Sequence, residues 1–231
     1  MFMALIVLMT KKSNINIGGL TLSKSMRILL ACEESQAVTK ELRALGHEAY
    51  SCDIEPCSGG YPEWHLQQDA AELLKQKWDM IIAFPPCTYM TNGGAVRMYP
   101  QKGVIDPKRL AKAMEAKEFF MMFYNADCPR IAIENPMPMK VIGLPEKSQV
   151  IQPYQFGDPY SKRTYLWLKG LPNLTPTEVL TDYQPFINGG GGRLNRDNYK
   201  GKKFAGGSSA RSKTFLGIAR AMATQWTTGG I

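Results

Sequence analysis

Short apolar runs alternate with amphipathic segments along most of the chain. Three of the apolar runs lie within residues 27–31, 80–84 and 130–136. Each is too short for a typical helix and is bounded by polar residues or proline, which predicts strands buried on both faces, as in a parallel sheet. Helical periodicity marks residues 36–45, 70–76 and 108–124. The alternation predicts an α/β fold in which helices cover a mostly parallel sheet.

A strand–helix–strand unit opens this region. The run 27–31 is followed by the helical segment 36–45, by Gly46 and by a second predicted strand, 47–53, that ends in Asp53. An acid after the second strand of such a unit commonly takes the ribose hydroxyls of a nucleotide. A solvated aspartate at a strand end explains Asp53 equally well.

Two later strand ends carry reactive side chains. Pro85, Pro86 and Cys87 follow the run 80–84, and Glu134 and Asn135 end the run 130–136. Proline cannot donate to a strand ladder, so we expect Cys87 just beyond the strand, at the edge of the sheet where ligands bind. A free cysteine is more commonly a small buried apolar residue, and Glu-Asn at a strand end is commonly turn chemistry.

The combination of Pro86-Cys87 with Glu134-Asn135 resembles the catalytic core of DNA cytosine-5 methyltransferases. That family carries a Pro-Cys nucleophile loop and a later Glu-Asn-Val strand end, where this chain has Pro136. A block at residues 155–168 resembles the family's arginine-containing motif, with Arg163 at its second arginine and Ser161 at its first. The resemblance extends in the family's order over residues 26–226. A chain this compact is similar to the family's phage and prophage enzymes.

The resemblance implies a role for each matched residue. Cys87 would add to C6 of the target cytosine, and Glu134 would contact N3. Asn135 would orient the nucleophile loop, and Arg163 would hold O2 of the flipped base.

The resemblance also implies S-adenosylmethionine as cofactor, on a Rossmann-like class I methyltransferase fold with helices on both faces of the sheet. The expected cofactor-binding residues are Cys32, Glu33, Ser35, Asp53, Ile54, Asp69 and Pro85. The first loop, 32–36, departs from the family because it contains no glycine. Glu33 could meet the cofactor's ammonium group or serve as an acid at the helix N-terminus, and Asp69 could contact adenine or cap the following helix.

We expect four regions along the chain. They are a weakly ordered extension at residues 1–25, with the functional start at Met26; a catalytic core at 26–170; a short, irregular, basic target-recognition region at 171–208; and a returning C-terminal helix at 209–231. Arginines and lysines interleave with aromatic residues in the third region, a composition suited to phosphate contact and base stacking.

The composition adds expectations about partners and location. A net charge of +8 and a pI of about 9.2 favour a polyanionic partner, here DNA. Five cysteines in no paired framework favour a reducing cytoplasm. Two histidines and the cysteine spacing predict no metal site. The apolar run 1–9 is too short to span a bilayer, and we expect a monomer without membrane contact.

Three alternatives to the cytosine-5 activity stay open at this point. Amino-methyltransferases also use a strand-end Pro-Pro motif. The small recognition region would permit an enzyme that modifies free nucleotides. A non-catalytic nucleic-acid-binding relic of the fold would explain the missing glycines.

Overall fold

The computed structural model describes residues 16–17, 20–21, 25–186 and 213–228. Its strands are β1 Asn16–Ile17, β2 Leu20–Thr21, β3 Arg27–Ala31, β4 Glu48–Asp53, β5 His65–Gln67, β6 Met80–Ala83, β7 Ile131–Pro136, β8 Gln149–Ile151, β9 Tyr160–Ser161, β10 Thr164–Lys169 and β11 Gln184–Pro185. Its α-helices are α1 Ala37–Ala44, α2 Ala70–Leu73, α3 Ala95–Met98, α4 Pro107–Tyr124 and α5 Leu216–Thr227.

Seven strands form the central sheet, in the order β5-β4-β3-β6-β7-β10-β8. The first five are mutually parallel, and β10 is antiparallel to both of its neighbours. This is the predicted Rossmann-like α/β architecture with a mostly parallel sheet, and that prediction is confirmed. The sequence did not predict that β10 would insert between β7 and β8.

The strand residues divide by alternation between two apolar layers. Leu29, Ile81 and Ile133 face a layer that contains Phe120 and Phe123 of α4. The intervening residues of the same strands face a second layer, built from α1 and α5, whose members include Ile28, Leu30, Met80, Ile82, Val38, Leu42, Ile218 and Met222. Because successive strand side chains point to opposite faces, continuous apolar runs let helices pack on both sides of the sheet.

The helices follow the predicted segments closely, with one exception. Gly46 takes a left-handed φ of 83° after α1, and Asp106 caps α4 by accepting from the Arg109 N–H at 3.0 Å. The helix expected at 70–76 ends at Leu73. The Leu73 carbonyl accepts from the Trp78 indole at 2.8 Å and from the Gln76 N–H at 3.1 Å, so the chain turns there instead of continuing as a helix.

An aromatic cluster joins two distant parts of the chain. Phe186 and Phe215 pack with ring centroids 4.7 Å apart, and Tyr160 of β9 lies 5.2 Å from Phe186. Residues 186 and 215 therefore lie close together, near β9. Most of the predicted N-terminal extension, and the basic part of the predicted recognition region, lie outside the described residues.

Candidate active site

The carboxyl ends of β3, β4, β6 and β7 lie along one edge of the sheet, because these strands are parallel and adjacent. Each strand is followed there by residues that the sequence singled out. Cys32 follows β3, and Asp53 ends β4. Pro85 and Cys87 follow β6, and Glu134 and Asn135 lie near the carboxyl end of β7. In open α/β sheets this edge is the ligand-binding edge.

The Cys87 loop is held by Asn135. The fully buried Asn135 side chain donates from Nδ2 to the Pro85 carbonyl at 3.0 Å. Beyond it, the Cys87 carbonyl accepts from the N–H groups of Met90 and Thr91 at 3.1 and 3.2 Å, which closes a tight turn around the cysteine. The thiol is thus presented, half-buried, from a loop that is bonded at both ends.

Cys87 and Glu134 lie close enough to influence each other. Burial raises the pKa of the Cys87 thiol, the negative charge of Glu134 raises it further, and the positive charge of Lys162 opposes both. Burial likewise raises the pKa of Glu134, opposed by Lys162 and by a hydrogen bond from the Thr164 hydroxyl. Both effects favour the protonated forms of the two groups, and a protonated carboxyl can act as a hydrogen-bond donor.

Arg163 and its neighbour Lys162 differ in burial. The Arg163 side chain is exposed, whereas Lys162 is only 9% exposed and lies within electrostatic reach of Cys87 and Glu134. The structure thus places the lysine near these two groups, and the role that the resemblance implies for Arg163 stays a prediction. Because the two cations are adjacent, no pattern in the sequence shows which of them is buried.

A second cation, missed in the sequence, holds the outer part of the Cys87 loop. Arg109 of α4 donates from Nη2 to the Thr88 carbonyl at 2.8 Å, and its guanidinium lies 4.7 Å from the Tyr89 ring centroid. A Cβ on Gly94 would come within 2.9 Å of Arg109 Nη2, so glycine permits the close approach. The segment that follows Cys87 thus packs on α4.

The other half of the edge gathers Cys32, Asp53 and Asp69. Burial, followed by the negative charges of Asp53 and Asp69, raises the pKa of the Cys32 thiol, which places both carboxylates near the first loop. Cys32 and Gln36 both have left-handed backbone, with φ of 60° and 55°. The glycine-free loop therefore makes the sharp turns that glycine usually permits. Ser35, half-buried, lies between these two positions.

Ile54 and the two aspartates have distinct environments. Ile54 is 72% exposed, directly after Asp53 at the end of β4. Asp53 accepts from the Glu55 N–H at 3.1 Å, and Asp69 caps α2 by accepting from the Ala71 N–H at 2.9 Å. Each of these bonds uses one carboxylate oxygen, which leaves the second oxygen of each group to interact elsewhere. The capping interpretation of Asp69 is confirmed.

Glu33 was expected to bind the cofactor, but its carboxylate turns into the protein. It is 4% exposed and accepts from the Val38 N–H at 2.6 Å and from the Thr39 hydroxyl at 2.6 Å. These bonds cap the N-terminus of α1, because the Gln36 side chain at the N-cap is bonded to Ser51 and Tyr61 instead. The structure thus corrects this assignment in favour of the helix-terminal use.

This capping carboxyl predicts a pH-dependent stability. Burial raises the pKa of Glu33 from 4.5 to about 7 in the folded protein. The folded state therefore holds the proton more tightly, and wild type loses on the order of 3 kcal/mol of unfolding free energy as the pH rises through this window. Glu33→Gln cannot ionise and should lack this loss in urea unfolding measured at several pH values. Exposed Glu72→Gln serves as the control, and equal pH slopes for wild type and Glu33→Gln would contradict the assignment.

Within residues 16–17, 20–21, 25–186 and 213–228, no group of three or more His, Cys, Asp or Glu side chains is placed to hold a metal ion. In the same ranges, no helix has both the length and the apolar character needed to cross a bilayer.

Comparison with known proteins gives distant structural likenesses. No protein-family model matches the chain, and no curated protein does. One similar solved structure is named as a DNA modification methyltransferase encoded within a prophage of E. coli, with 14% identity, a TM-score of 0.43 and coverage of 68% of this chain and 52% of that one. A methyltransferase of Entamoeba histolytica has 13% identity, a TM-score of 0.44 and coverage of 68% and 58%.

A third similar structure is an rRNA methylase of Escherichia coli, with 16% identity, a TM-score of 0.30 and coverage of 63% of this chain and 58% of that one. The chain thus matches between 52% and 58% of the lengths of these three structures. No function follows from likenesses of this size.

Proposed function

We propose that the chain is an S-adenosylmethionine-dependent methyltransferase that acts on C5 of cytosine in DNA. The observation that carries the proposal is the pairing of Cys87 with Glu134 at the ends of two adjacent parallel strands, with Asn135 bonded to the loop that presents the thiol. A nucleophile and a proton donor at the ends of adjacent strands suit covalent attack on a pyrimidine.

The chemistry of cytosine explains the need for both groups. C5 is a poor nucleophile until the Cys87 thiolate adds to C6, which moves the electrons of the C5–C6 double bond toward C5. Glu134 would donate a hydrogen bond or a proton to N3 and so take up the charge that develops in the ring. After methyl transfer, loss of the C5 proton re-forms the double bond and expels the thiolate. Because the target atom lies inside the duplex, the base must be flipped out.

The second half of the edge suits the cofactor. S-adenosylmethionine, when bound, would supply an electrophilic methyl group. Asp53 would accept from the ribose hydroxyls and Asp69 from the adenine amino group, each through a carboxylate that lies near Cys32. Ile54 offers an exposed apolar surface for the adenine face. Cys32, Ser35 and Pro85 would border the remaining part of the cofactor.

Asp53→Ala should weaken S-adenosylmethionine binding by about 10- to 100-fold, because it removes a charged hydrogen-bond acceptor from the ribose. Isothermal titration calorimetry of the purified protein measures this change directly. Asp127→Ala is the matched control, since Asp127 is a fully exposed aspartate paired with Lys77. Unchanged affinity in a folded Asp53→Ala variant would exclude this role.

The proposed DNA partner is supported by charge and by the course of the chain. The net charge is +8, and segment 187–212 carries Arg193, Arg196, Lys200, Lys202, Lys203 and Arg211. The described residues that flank it, Phe186 and Phe215, pack together near β9, and β10 follows β9 with Thr164 opposite Pro136. A segment of this charge suits contact with the phosphates of DNA.

Nucleoside analysis after methyl transfer tests the proposed target atom. DNA incubated with the protein and labelled S-adenosylmethionine should yield labelled 5-methylcytosine on digestion, whereas free deoxycytidine nucleotides should stay unlabelled. Labelled N4-methylcytosine or N6-methyladenine would instead establish the amino-methyltransferase alternative. Label on the free nucleotide alone would replace DNA as the substrate.

A further inference from the structure

Lys162 occupies an unusual position for a lysine. It lies between β9 and β10 and is 9% exposed. Lysine is rarely buried without an acidic partner, because removing its charge from water is costly. Its backbone carbonyl accepts from the Thr164 hydroxyl at 3.2 Å, and Thr164 is paired with Pro136, two residues beyond Glu134. The strand register therefore brings the lysine to the carboxyl end of β7.

Two charged groups of the described structure act on Cys87, and they have opposite signs. Glu134 comes from β7, and Lys162 comes from the segment leading into β10. Lys162 acts on Glu134 as well, together with the Thr164 hydroxyl. A half-buried thiol and a half-buried carboxyl at neighbouring strand ends would both resist ionisation. A buried ammonium beside them is the feature that offsets this resistance.

We propose that Lys162 is the positioning cation of the site, whose ammonium orients the Glu134 carboxyl and favours the thiolate form of Cys87. The inference rests on the function proposed above. The lysine keeps its own proton throughout. The thiol proton of Cys87 passes to solvent, and the ammonium compensates the negative charge left on sulfur before the sulfur–C6 bond forms.

The inference assigns to Lys162 an electrostatic role that neither the sequence nor the resemblance gave it. Arg163 is exposed and has no such position. The two cations are not interchangeable, because an ammonium is a compact point charge and a guanidinium is a planar group that is always charged. Substitution at the two adjacent positions therefore separates the buried charge from the surface charge.

The test is the pH dependence of Cys87 alkylation by iodoacetamide, followed by peptide mass mapping over a pH range that extends well above the ordinary cysteine pKa of about 8.5. Lys162→Met should move the midpoint upward by about one pH unit, which makes alkylation about tenfold slower at a fixed pH below the midpoint. Lys162→Arg should restore most of the wild-type profile, because it restores the charge. Arg163→Gln, the matched control, should leave the profile unchanged.

Glu134→Gln provides a test of opposite sign. Loss of the neighbouring carboxylate should move the Cys87 midpoint downward. In that background, Lys162→Met reports the effect of the ammonium on sulfur alone, because the carboxyl can no longer gain a proton in compensation. Lys162→Gln replaces Lys162→Met if thermal melting shows that the methionine variant does not fold.

An unchanged midpoint in a folded Lys162→Met or Lys162→Gln variant would overturn the inference, as would an equal shift in Arg163→Gln. The measurement needs neither DNA nor cofactor, so its outcome is independent of the proposed reaction. A shifted midpoint in a protein that fails to methylate cytosine would retain the role of Lys162 and reject the function. Methylation of cytosine with an unshifted midpoint would retain the function and reject the role of Lys162.

Discussion

Cys87→Ser is expected to lose all covalent attachment to DNA that contains 5-fluorocytosine, while wild type is trapped on it. The DNA is incubated with S-adenosylmethionine. Once the methyl group has been transferred to C5, the fluorine there cannot be removed as a proton is, so elimination fails and the sulfur–C6 bond persists. Methyl transfer to ordinary DNA should fall by on the order of 10,000-fold or more, since loss of a nucleophile removes the covalent path. Denaturing gel shifts and peptide mapping measure the adduct, and filter binding of labelled methyl groups measures transfer.

The control for this experiment is Cys57→Ser, which alters another half-buried thiol of the same chain. It should keep both adduct formation and methyl transfer. Cofactor binding should survive in Cys87→Ser, because the proposed contact of the thiol is with the target base and not with the cofactor. An adduct in the Cys87→Ser variant, or robust methylation by it, would remove the covalent mechanism.

Glu134→Gln is expected to slow adduct formation by about 100- to 10,000-fold, the usual scale of general acid–base assistance. Glutamine can still donate a hydrogen bond to N3 but cannot transfer a proton. Burial raises the pKa of Glu134, so the wild-type carboxyl keeps its proton to higher pH than an exposed glutamate. The wild-type rate should consequently lose the contribution of this group as the pH rises through its pKa. Rapid-quench measurement of the adduct over a range of pH values tests both expectations.

Glu146→Gln is the matched control, since Glu146 is an exposed glutamate paired with Lys147. Its adduct rate and pH profile should equal those of wild type. A Glu134→Gln variant that forms the adduct at the wild-type rate would show that Glu134 does not assist the attack. Thermal melting of each variant separates a catalytic loss from a folding loss, because Glu134 lies within a central strand.

The strands and long helices could be predicted because local pattern and tertiary role coincide. The run at β6 is apolar at every position since both faces of the sheet are covered. The 18-residue α4 begins at Pro107, one residue before its predicted start, after the Asp106 cap. The short α2 was overestimated, because the Trp78 indole that ends it comes from outside the periodic segment.

The site could be predicted only in part. Cys87, Glu134 and Asn135 were found because proline and a strand end give them a position that the sequence reveals. Lys162 and Arg163 differ by one position, and their burial is set by how β10 enters the sheet beside β7, which is a long-range pairing. The sequence also left open whether Glu33 binds the cofactor or caps α1.

The sequence by itself determined the order of the main parallel strands and of the long helices, and it determined which side chains follow those strands. Those properties depend on neighbours in the chain, through apolar periodicity, proline and capping residues. The tertiary structure decided which cation faces Cys87 and where the carboxylate of Glu33 turns. It also decided that the segment after Cys87 packs on α4 through Arg109. These outcomes depend on burial and on contacts between segments that are distant in the sequence. No local stretch of sequence encodes the cost of burying a charge or the packing across the sheet.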